Sequence, residues 1–149
     1  MDLISQGKEK LKTKPEIEYD ENPGGLTILP ADEIGFYITV YLDKNEIMVC
    51  FEGWHQHYSK TDTEEAFNCV GFGLSDHCRL IVHSKGKTDY KWTAQMKDPG
   101  NGKWKFAGTT CLLWYPFWKR KQVRYLQNQI INVEAEPINS ADAKGRAAD

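Results

Sequence analysis

Two runs of alternating apolar residues, separated by a short polar turn, constrain the fold more than any other feature of the sequence. The alternating residues are Ile34, Phe36, Ile38, Val40 and Leu42 before the turn, and Ile47, Val49 and Phe51 after it. Such alternation is typical of strands with one buried face. A two-residue loop at 44–45 puts all these side chains on one face of an antiparallel hairpin. The expected pairs are Leu42 with Ile47, Val40 with Val49 and Ile38 with Phe51.

The rest of the pattern predicts one principal helix and further strands. Thr61 and Glu64 have the spacing of a capping box, and apolar residues follow at helical intervals, so we expect a helix over about 62–74. The predicted strands are 79–83, 90–96, 103–106 and 111–115, the last of them buried. Residues 120–131 fit a strand that runs into a short helical turn, with a helix as the alternative. The predicted fold is α+β, with an antiparallel sheet of about five to seven strands packed on the one helix.

The chain has 149 residues, which suits one domain. We expect three parts: a polar N-terminal arm at 1–24, frayed or folded as a short helix; an α+β domain at 25–131; and a disordered tail at 132–149. The sequence has neither a leader-like start nor an apolar run of the ~18 residues that a membrane span needs. We therefore expect a cytoplasmic protein that does not bind membranes.

The net charge of −2 conceals a strong separation of charge along the chain. Residues 1–78 contain 6 basic and 15 acidic residues, whereas residues 79–124 contain 11 basic and 2 acidic residues. An uneven distribution of this kind can mark an anion-binding half. The simpler expectation is that strands of the two blocks interleave in the fold and that their charges compensate.

Five short motifs carry a resemblance to known sequences. They are Gly53-Trp54-His55, Gly73-Leu74-Ser75, Tyr90-Lys91-Trp92-Thr93, Pro116-Phe117-Trp118 and Tyr125-Leu126-Gln127-Asn128. Together they resemble an uncharacterised family of small bacterial hypothetical proteins with no assigned function. The resemblance spans about residues 34–130, and it implies neither a reaction nor a ligand.

The segment 114–124 mixes aromatic and basic residues without clean alternation, so some of its rings must be exposed or cover another surface. An exposed ring beside a cation can hold an anion, a peptide carboxylate or a nucleic acid. The leading hypothesis is therefore a non-enzymatic interaction module that binds a protein or an anionic ligand here. The candidate binding residues are Trp114, Phe117, Trp118, Lys119, Arg120 and Arg124.

A second hypothesis places a ligand pocket or a small enzyme around residues 52–58. His55 and His57 are two residues apart, so on one strand both rings point to the same side and could share a metal ion. Glu52, at a strand end opposite Tyr37, could have a raised pKa. The pocket candidates are Glu52, Trp54, His55, His57 and Tyr58. The alternative is that these polar residues only decorate a loop, and we assign neither a metal site nor a catalytic residue.

The cysteine and glycine patterns point away from two common kinds of chemistry. The four cysteines form no Cys-x-x-Cys pair, so we expect free, buried and inert thiols. The glycine-rich stretches lack the Walker lysine and the dinucleotide-binding fingerprint, so we expect no nucleotide cofactor and assign no other cofactor. The cysteines are Cys50, Cys69, Cys78 and Cys111.

A third hypothesis is weak nucleic-acid binding through the basic block 79–124. Sheet proteins that bind nucleic acids stack bases on aromatic rings that share a face with basic residues. Strict alternation argues against this arrangement here, because it puts the rings on one face, in the core, and the lysines on the other. The rings are Trp92, Trp104 and Phe106, and the lysines are Lys91, Lys103 and Lys105. Nucleic acid is therefore a possible but disfavoured partner.

Overall fold

A computed structural model of the chain describes residues 2–131. Its elements are helix α1 (Leu3–Lys12), strands β1 (Tyr19–Asn22), β2 (Gly25–Ile28), β3 (Ile38–Leu42), β4 (Glu46–Phe51) and β5 (Trp54–Ser59), helix α2 (Thr63–Leu74), and strands β6 (Cys78–Lys85), β7 (Thr88–Lys97), β8 (Trp104–Cys111) and β9 (Lys121–Leu126). The first sheet has the strand order β1-β2-β3-β4-β5, and the second sheet has the order β8-β7-β6-β9. All neighbouring strands in both sheets are antiparallel.

The predicted hairpin is confirmed as β3 and β4. Leu42 pairs with Ile47, Val40 with Val49 and Ile38 with Phe51. Its inward side chains are buried: Ile38, Ile47, Val49 and Phe51 expose none of their surface. The alternation succeeds as a predictor here because a one-residue slip would turn this whole apolar set towards water.

Helix α2 matches the predicted range, but it begins differently from the expected capping box. Asp62 is the N-cap residue and makes no side-chain capping bond, while the Thr61 hydroxyl lies 3.1 Å from that of Ser59. The helix passes through Gly73, where a Cβ atom would lie 2.6 Å from the ring of Phe51. Glycine at this position therefore lets the helix lie close against the first sheet.

The N-terminal segment, for which the sequence left open a frayed arm or a short helix, contains α1 and β1. Leu3, Gly7 and Leu11 are buried along one side of α1, and Asp2 caps the helix by accepting a hydrogen bond from the backbone N–H of Ser5 at 2.7 Å. The strand β1 adds to the edge of the first sheet by pairing with β2. The expected tail at 132–149 lies outside the described residues.

The α+β composition and the antiparallel strands are confirmed, but the single sheet on one principal helix is not. The strands divide into sheets of five and four, and residues 2–131 contain two helices. The division falls at α2, and the strands on either side of it pair only with strands of their own sheet. Each sheet is therefore contiguous in sequence, and the acidic and basic blocks do not interleave strand by strand. The expected interleaving of strands from the two blocks was therefore wrong.

The two sheets share one hydrophobic cluster. The ring of Phe51 stacks on that of Trp54, with 4.7 Å between centroids. The tight turn after β4 meets β7, since a Cβ atom at Gly53 would overlap the ring of Trp92. On β8, Gly108 lies against the indole of Trp54 in the same way, with a Cβ position 3.1 Å from Nε1. These close contacts hold the end of the first sheet against the second.

The chain beyond β8 departs from the sequence prediction. The expected buried strand at 111–115 is wrong, because β8 ends at Cys111 and the following Leu113 and Trp114 are exposed. Residues 112–120, here called the crossover loop, run from β8 at one edge of the second sheet to β9 at the other. Strand β9 is present, but residues 127–130 form no helical turn. None of the helices within residues 2–131 is long and apolar enough to cross a membrane.

Candidate binding surface on the second sheet

The strand β6 defines two faces of the second sheet. Cys78, Leu80 and Val82 are fully buried and point to the core, so the side chains between them point away from it. The strand pairing extends this outward set across the four strands. The outer face carries Arg79, Ile81, His83 and Lys85 of β6, Lys91, Thr93, Gln95 and Lys97 of β7, Trp104, Phe106, Thr109 and Cys111 of β8, and Lys121, Val123 and Tyr125 of β9.

A β-bulge puts two aromatic rings on this outer face. Gly108 pairs with Ala94, but the next pair joins Phe106 to Gln95, which leaves Ala107 without a partner. One extra residue shifts the alternation by one position. The expectation that Trp104 and Phe106 belong to the core is therefore wrong, and 71% of the Phe106 side chain is exposed.

The sequence contained a signal for this bulge. Gly108 is an isolated glycine inside a strand pattern, which often marks a bulge or a close backbone approach. It has φ of 142°, a conformation that favours glycine, and it lies against Trp54. Trp92 of β7 pairs with Thr110, which follows the bulge, so its side chain still points inward and packs against the core.

The outer face holds an ordered row of planar groups. The guanidinium carbon of Arg79 lies 4.4 Å from the ring centroid of Trp104 and 4.8 Å from that of Tyr125. Its Nε donates a hydrogen bond of 2.9 Å to the side-chain oxygen of Gln95. The row thus crosses all four strands, and cation–π contacts of this kind fix the orientation of the guanidinium plane.

Positive charge on the outer face is not balanced locally. The basic block 79–124 has two carboxylates, and both are engaged: Asp89 binds both terminal nitrogens of Arg124 at 2.8 Å, and Asp98 lies 2.6 Å from the ammonium of Lys105. The hydrogen bonds from Arg124 lower the pKa of Asp89. The outer face itself has no carboxylate.

Five basic side chains share the outer face: Arg79, Lys85, Lys91, Lys97 and Lys121. None of them forms an ion pair within residues 2–131. Lys85 and Lys121 are even direct cross-strand partners, an arrangement that is unfavourable for like charges. Burial of the His83 ring, together with the charges of Lys91 and Lys121, lowers the pKa of that imidazole. This accumulation of unpaired positive charge suits an anionic ligand.

The crossover loop adds exposed aromatic rings beside this face. The centroid of Trp118 lies 5.3 Å from that of Phe117 and 6.3 Å from that of Trp114, in edge-to-face contacts. The exposed fractions of these three side chains are between 63% and 72%. The loop is anchored by Tyr115, whose ring stacks on Tyr90 at 4.1 Å.

The anchor connects the loop with the outer face, because Tyr90 also lies 6.3 Å from the His83 ring. Lys119 and Arg120 are exposed at the end of the loop, and Lys119 lies beside Gly86 of the β6–β7 turn. Five of the six predicted binding residues thus lie in one exposed loop. The sixth, Arg124, points to the opposite face and is bound to Asp89.

The predicted pocket residues of β5 are divided between the two faces of the first sheet. Trp54 and Tyr58 face the core, and burial raises the pKa of Tyr58. His55 and His57 are exposed on the other face, with ring centroids 5.1 Å apart, and His57 Nδ1 lies 3.0 Å from Glu46. Among residues 2–131, no three His, Cys, Asp or Glu side chains are grouped to hold a metal ion.

Glu52, the remaining pocket candidate, occupies a strained turn. Its φ is 53°, a region that L-residues rarely adopt, and Tyr37 N–H lies 3.5 Å from its carboxylate. Partial desolvation of this carboxyl raises the pKa of Glu52, whereas the bond with Tyr37 and the charge of Arg124 lower it. The structure therefore brings Glu52 near Arg124, which the sequence had assigned to a different site.

The cysteines are all free thiols, but they are not all buried. Cys69 and Cys78 are buried and Cys50 is half-buried, and desolvation raises the pKa of all three. These three therefore remain protonated and weakly nucleophilic at neutral pH. Cys111 is exposed at the end of β8, so the expectation of four buried thiols is wrong for this residue.

Comparisons with known proteins identify no relative of the chain. No family model matches the chain, and neither the curated proteins nor the solved structures contain a match. The feature that distinguishes the molecule is a sheet face on which aromatic rings and unpaired cations occur together.

Proposed function

We propose that the protein is a non-enzymatic binding module that holds single-stranded nucleic acid on the outer face of the second sheet. The observation that carries the proposal is the shared face: Trp104, Phe106 and Tyr125 project from it with five unpaired cations and no carboxylate. This is the combination that sheet-type nucleic-acid binders use.

The aromatic rings supply stacking surfaces. Phe106 and Tyr125 expose 71% and 56% of their side chains, and Trp104 and Tyr125 flank the guanidinium of Arg79. Stacking of one base on one ring contributes about 1–3 kcal/mol and accepts any base. Because the rings of Trp104 and Tyr125 both contact Arg79, they lie close enough together for neighbouring bases of one strand to stack on them.

The cations supply contacts with phosphates. Arg79 is held in the aromatic row, while Lys85, Lys91, Lys97 and Lys121 surround it on the same face. Lysine and arginine contacts with phosphates release counterions and dominate non-specific affinity. Strict alternation would put the aromatic rings and the lysines on opposite faces. The bulge at Ala107 instead places Phe106 and the lysines on one side of the sheet.

A second candidate function is the binding of an acidic protein segment through the crossover loop. It is favoured by the contact among the exposed rings of Trp114, Phe117 and Trp118, next to Lys119 and Arg120. Exposed apolar clusters with neighbouring charge are typical of protein interfaces. The loop and the outer face meet at Tyr115, so the two surfaces can be separated only by mutation.

Fluorescence anisotropy with a labelled single-stranded oligonucleotide tests the first candidate. We expect Phe106→Ala with Tyr125→Ala to weaken binding by roughly tenfold or more, from the loss of two stacking contacts. Lys91→Ala with Lys97→Ala should also weaken it. The matched control is Lys44→Ala with Lys60→Ala, which removes the same charge outside the basic block and should change little.

Two outcomes contradict this candidate. One is that polyglutamate of similar charge binds as tightly as the oligonucleotide, because a polymer without bases cannot stack. The other is that Trp114→Ala with Phe117→Ala abolishes oligonucleotide binding while the Phe106 and Tyr125 changes have no effect. The second result would move the binding site to the crossover loop and favour the acidic-protein candidate.

A further inference from the structure

An apolar cavity of about 270 Å³ lies on the side of the first sheet where both helices pack. It is separate from the outer face of the second sheet, and nothing in the proposed nucleic-acid site uses it. Its walls come from α1, α2 and strands β2 and β3. The principal apolar lining residues are Leu11, Leu26, Ile28, Val40, Phe67 and Leu74.

Gly71 leaves part of this space open. It lines the cavity from α2, and a Cβ atom built there would have no other atom within 4 Å. Glycine weakens the interior of a helix relative to alanine, so helix formation does not account for glycine at this position. The nearby Gly73 is required by its contact with Phe51, but no comparable contact requires Gly71.

The rim of the cavity is positively charged. Lys10 is exposed and Lys14 is half-buried, and both line the cavity. The ammonium of Lys10 lies 5.3 Å from the ring centroid of Phe67. Within residues 2–131 neither lysine forms an ion pair, whereas the neighbouring Lys8 is paired with Glu21 at 2.9 Å. An apolar interior with two unpaired cations at its mouth suits an amphipathic anion.

We propose that this cavity binds a medium-chain fatty acid, with the alkyl chain inside and the carboxylate between Lys10 and Lys14. A methylene group occupies about the same volume as a water molecule in the liquid, ~30 Å³, so the cavity accepts roughly nine such groups. This volume fits chains of about eight to ten carbons. Longer chains must leave their ends in solvent.

Titration calorimetry of the full-length protein with hexanoate, octanoate, decanoate and tetradecanoate tests the fit. Each buried methylene contributes about fourfold in affinity, so two added carbons should increase affinity by about fifteenfold. The increase should continue to about ten carbons and then level off. Absence of saturable decanoate binding, or an increase that continues unchanged to fourteen carbons, overturns the proposal.

Two sets of variants test the location. Gly71→Leu fills the cavity and should reduce decanoate affinity by about a hundredfold, whereas Gly71→Ala adds one methyl group and should retain most of it. Lys10→Ala with Lys14→Ala should weaken decanoate binding by about tenfold but leave decanol binding nearly unchanged. The charge-matched control is Lys12→Ala with Lys44→Ala, because neither residue lines the cavity.

Thermal denaturation establishes that each variant is folded before it is titrated. Unchanged decanoate affinity in a folded Gly71→Leu variant overturns the assignment to this cavity. Equal losses for decanoate and decanol in the lysine variant overturn the role of the rim. Neither result bears on the proposed oligonucleotide binding, because the cavity and the outer face of the second sheet share no residue.

Discussion

At the scale of single residues, Gly71 and Gly73 form a natural matched pair. Both lie in α2, but a Cβ atom at 71 meets open space and one at 73 meets the Phe51 ring at 2.6 Å. Alanine is the better helix former, so Gly71→Ala should raise the free energy of unfolding by up to about 1 kcal/mol. Gly73→Ala should lower it by about 1–3 kcal/mol, because the helix must move away from the sheet.

Urea denaturation of the two variants measures both effects against the same parent. Each variant is the control for the other, since the gain in helix propensity is the same at both positions. Effects of the same sign and size would show that α2 does not lie against Phe51 as described.

Glu52 illustrates which residue-level features the sequence can predict. Its position opposite Tyr37 follows from the hairpin register, and the structure agrees. Its left-handed backbone was not predictable from local sequence, because Gly53 is the residue that would ordinarily adopt positive φ. Gly53 instead lies flat against the ring of Trp92, which is 39 positions away in the chain. A distant contact therefore decides the conformation of this turn.

At the scale of secondary-structure elements, the difference between β3–β4 and β8 has a physical cause. In the hairpin, apolar period and turn residues agree, so local sequence determines both the register and the buried face. In β8, Ala107 has no partner, so the strand residues before it point to the face opposite to the one that simple alternation predicts. In the sequence, only Gly108 signals this change. The uncharged run at 111–115 resembles a buried strand, but only Cys111 belongs to β8, and residues 112–115 lie beyond the last strand pair.

The bulge leads to a prediction about two phenylalanines. Phe51→Ala should lower the free energy of unfolding by about 3–5 kcal/mol, because the ring is fully buried. Phe106→Ala should change it by about 0.5 kcal/mol or less, since the ring is mostly exposed. Chemical denaturation gives both values. A large loss at Phe106 would mean that β8 follows simple alternation and that its rings face the core.

At the scale of the whole molecule, charge separation in the sequence becomes charge separation between sheets. The first sheet and both helices come from the block with 15 acidic residues, and the second sheet comes almost wholly from the block with 11 basic residues. The sequence revealed the two blocks but not their arrangement, because that depends on which strands pair. Strand pairing is decided by contacts across the fold rather than by local pattern.

Binding through this basic sheet should depend strongly on salt. If about five cations of the outer face contact phosphates, the logarithm of the binding constant should fall with the logarithm of salt concentration with a slope of roughly −3.5. Doubling the salt concentration then weakens binding about elevenfold. Anisotropy titrations at four salt concentrations measure the slope, and Lys91→Ala should make it shallower by about 0.7. A slope near zero would be incompatible with phosphate contacts.

The contiguity of each sheet also has a consequence for synthesis of the chain. Ribosomes add about 5–20 residues per second, and N-terminal units fold first. The strands of the first sheet, which end at Ser59, can pair before β6 emerges. Gly53 and Trp54 then remain for several seconds without their contacts to Trp92 and Gly108. The partly folded chain during synthesis is therefore an acidic sheet whose apolar face is not yet fully buried. Repulsion between like charges opposes association of such chains until the basic second sheet packs against the first.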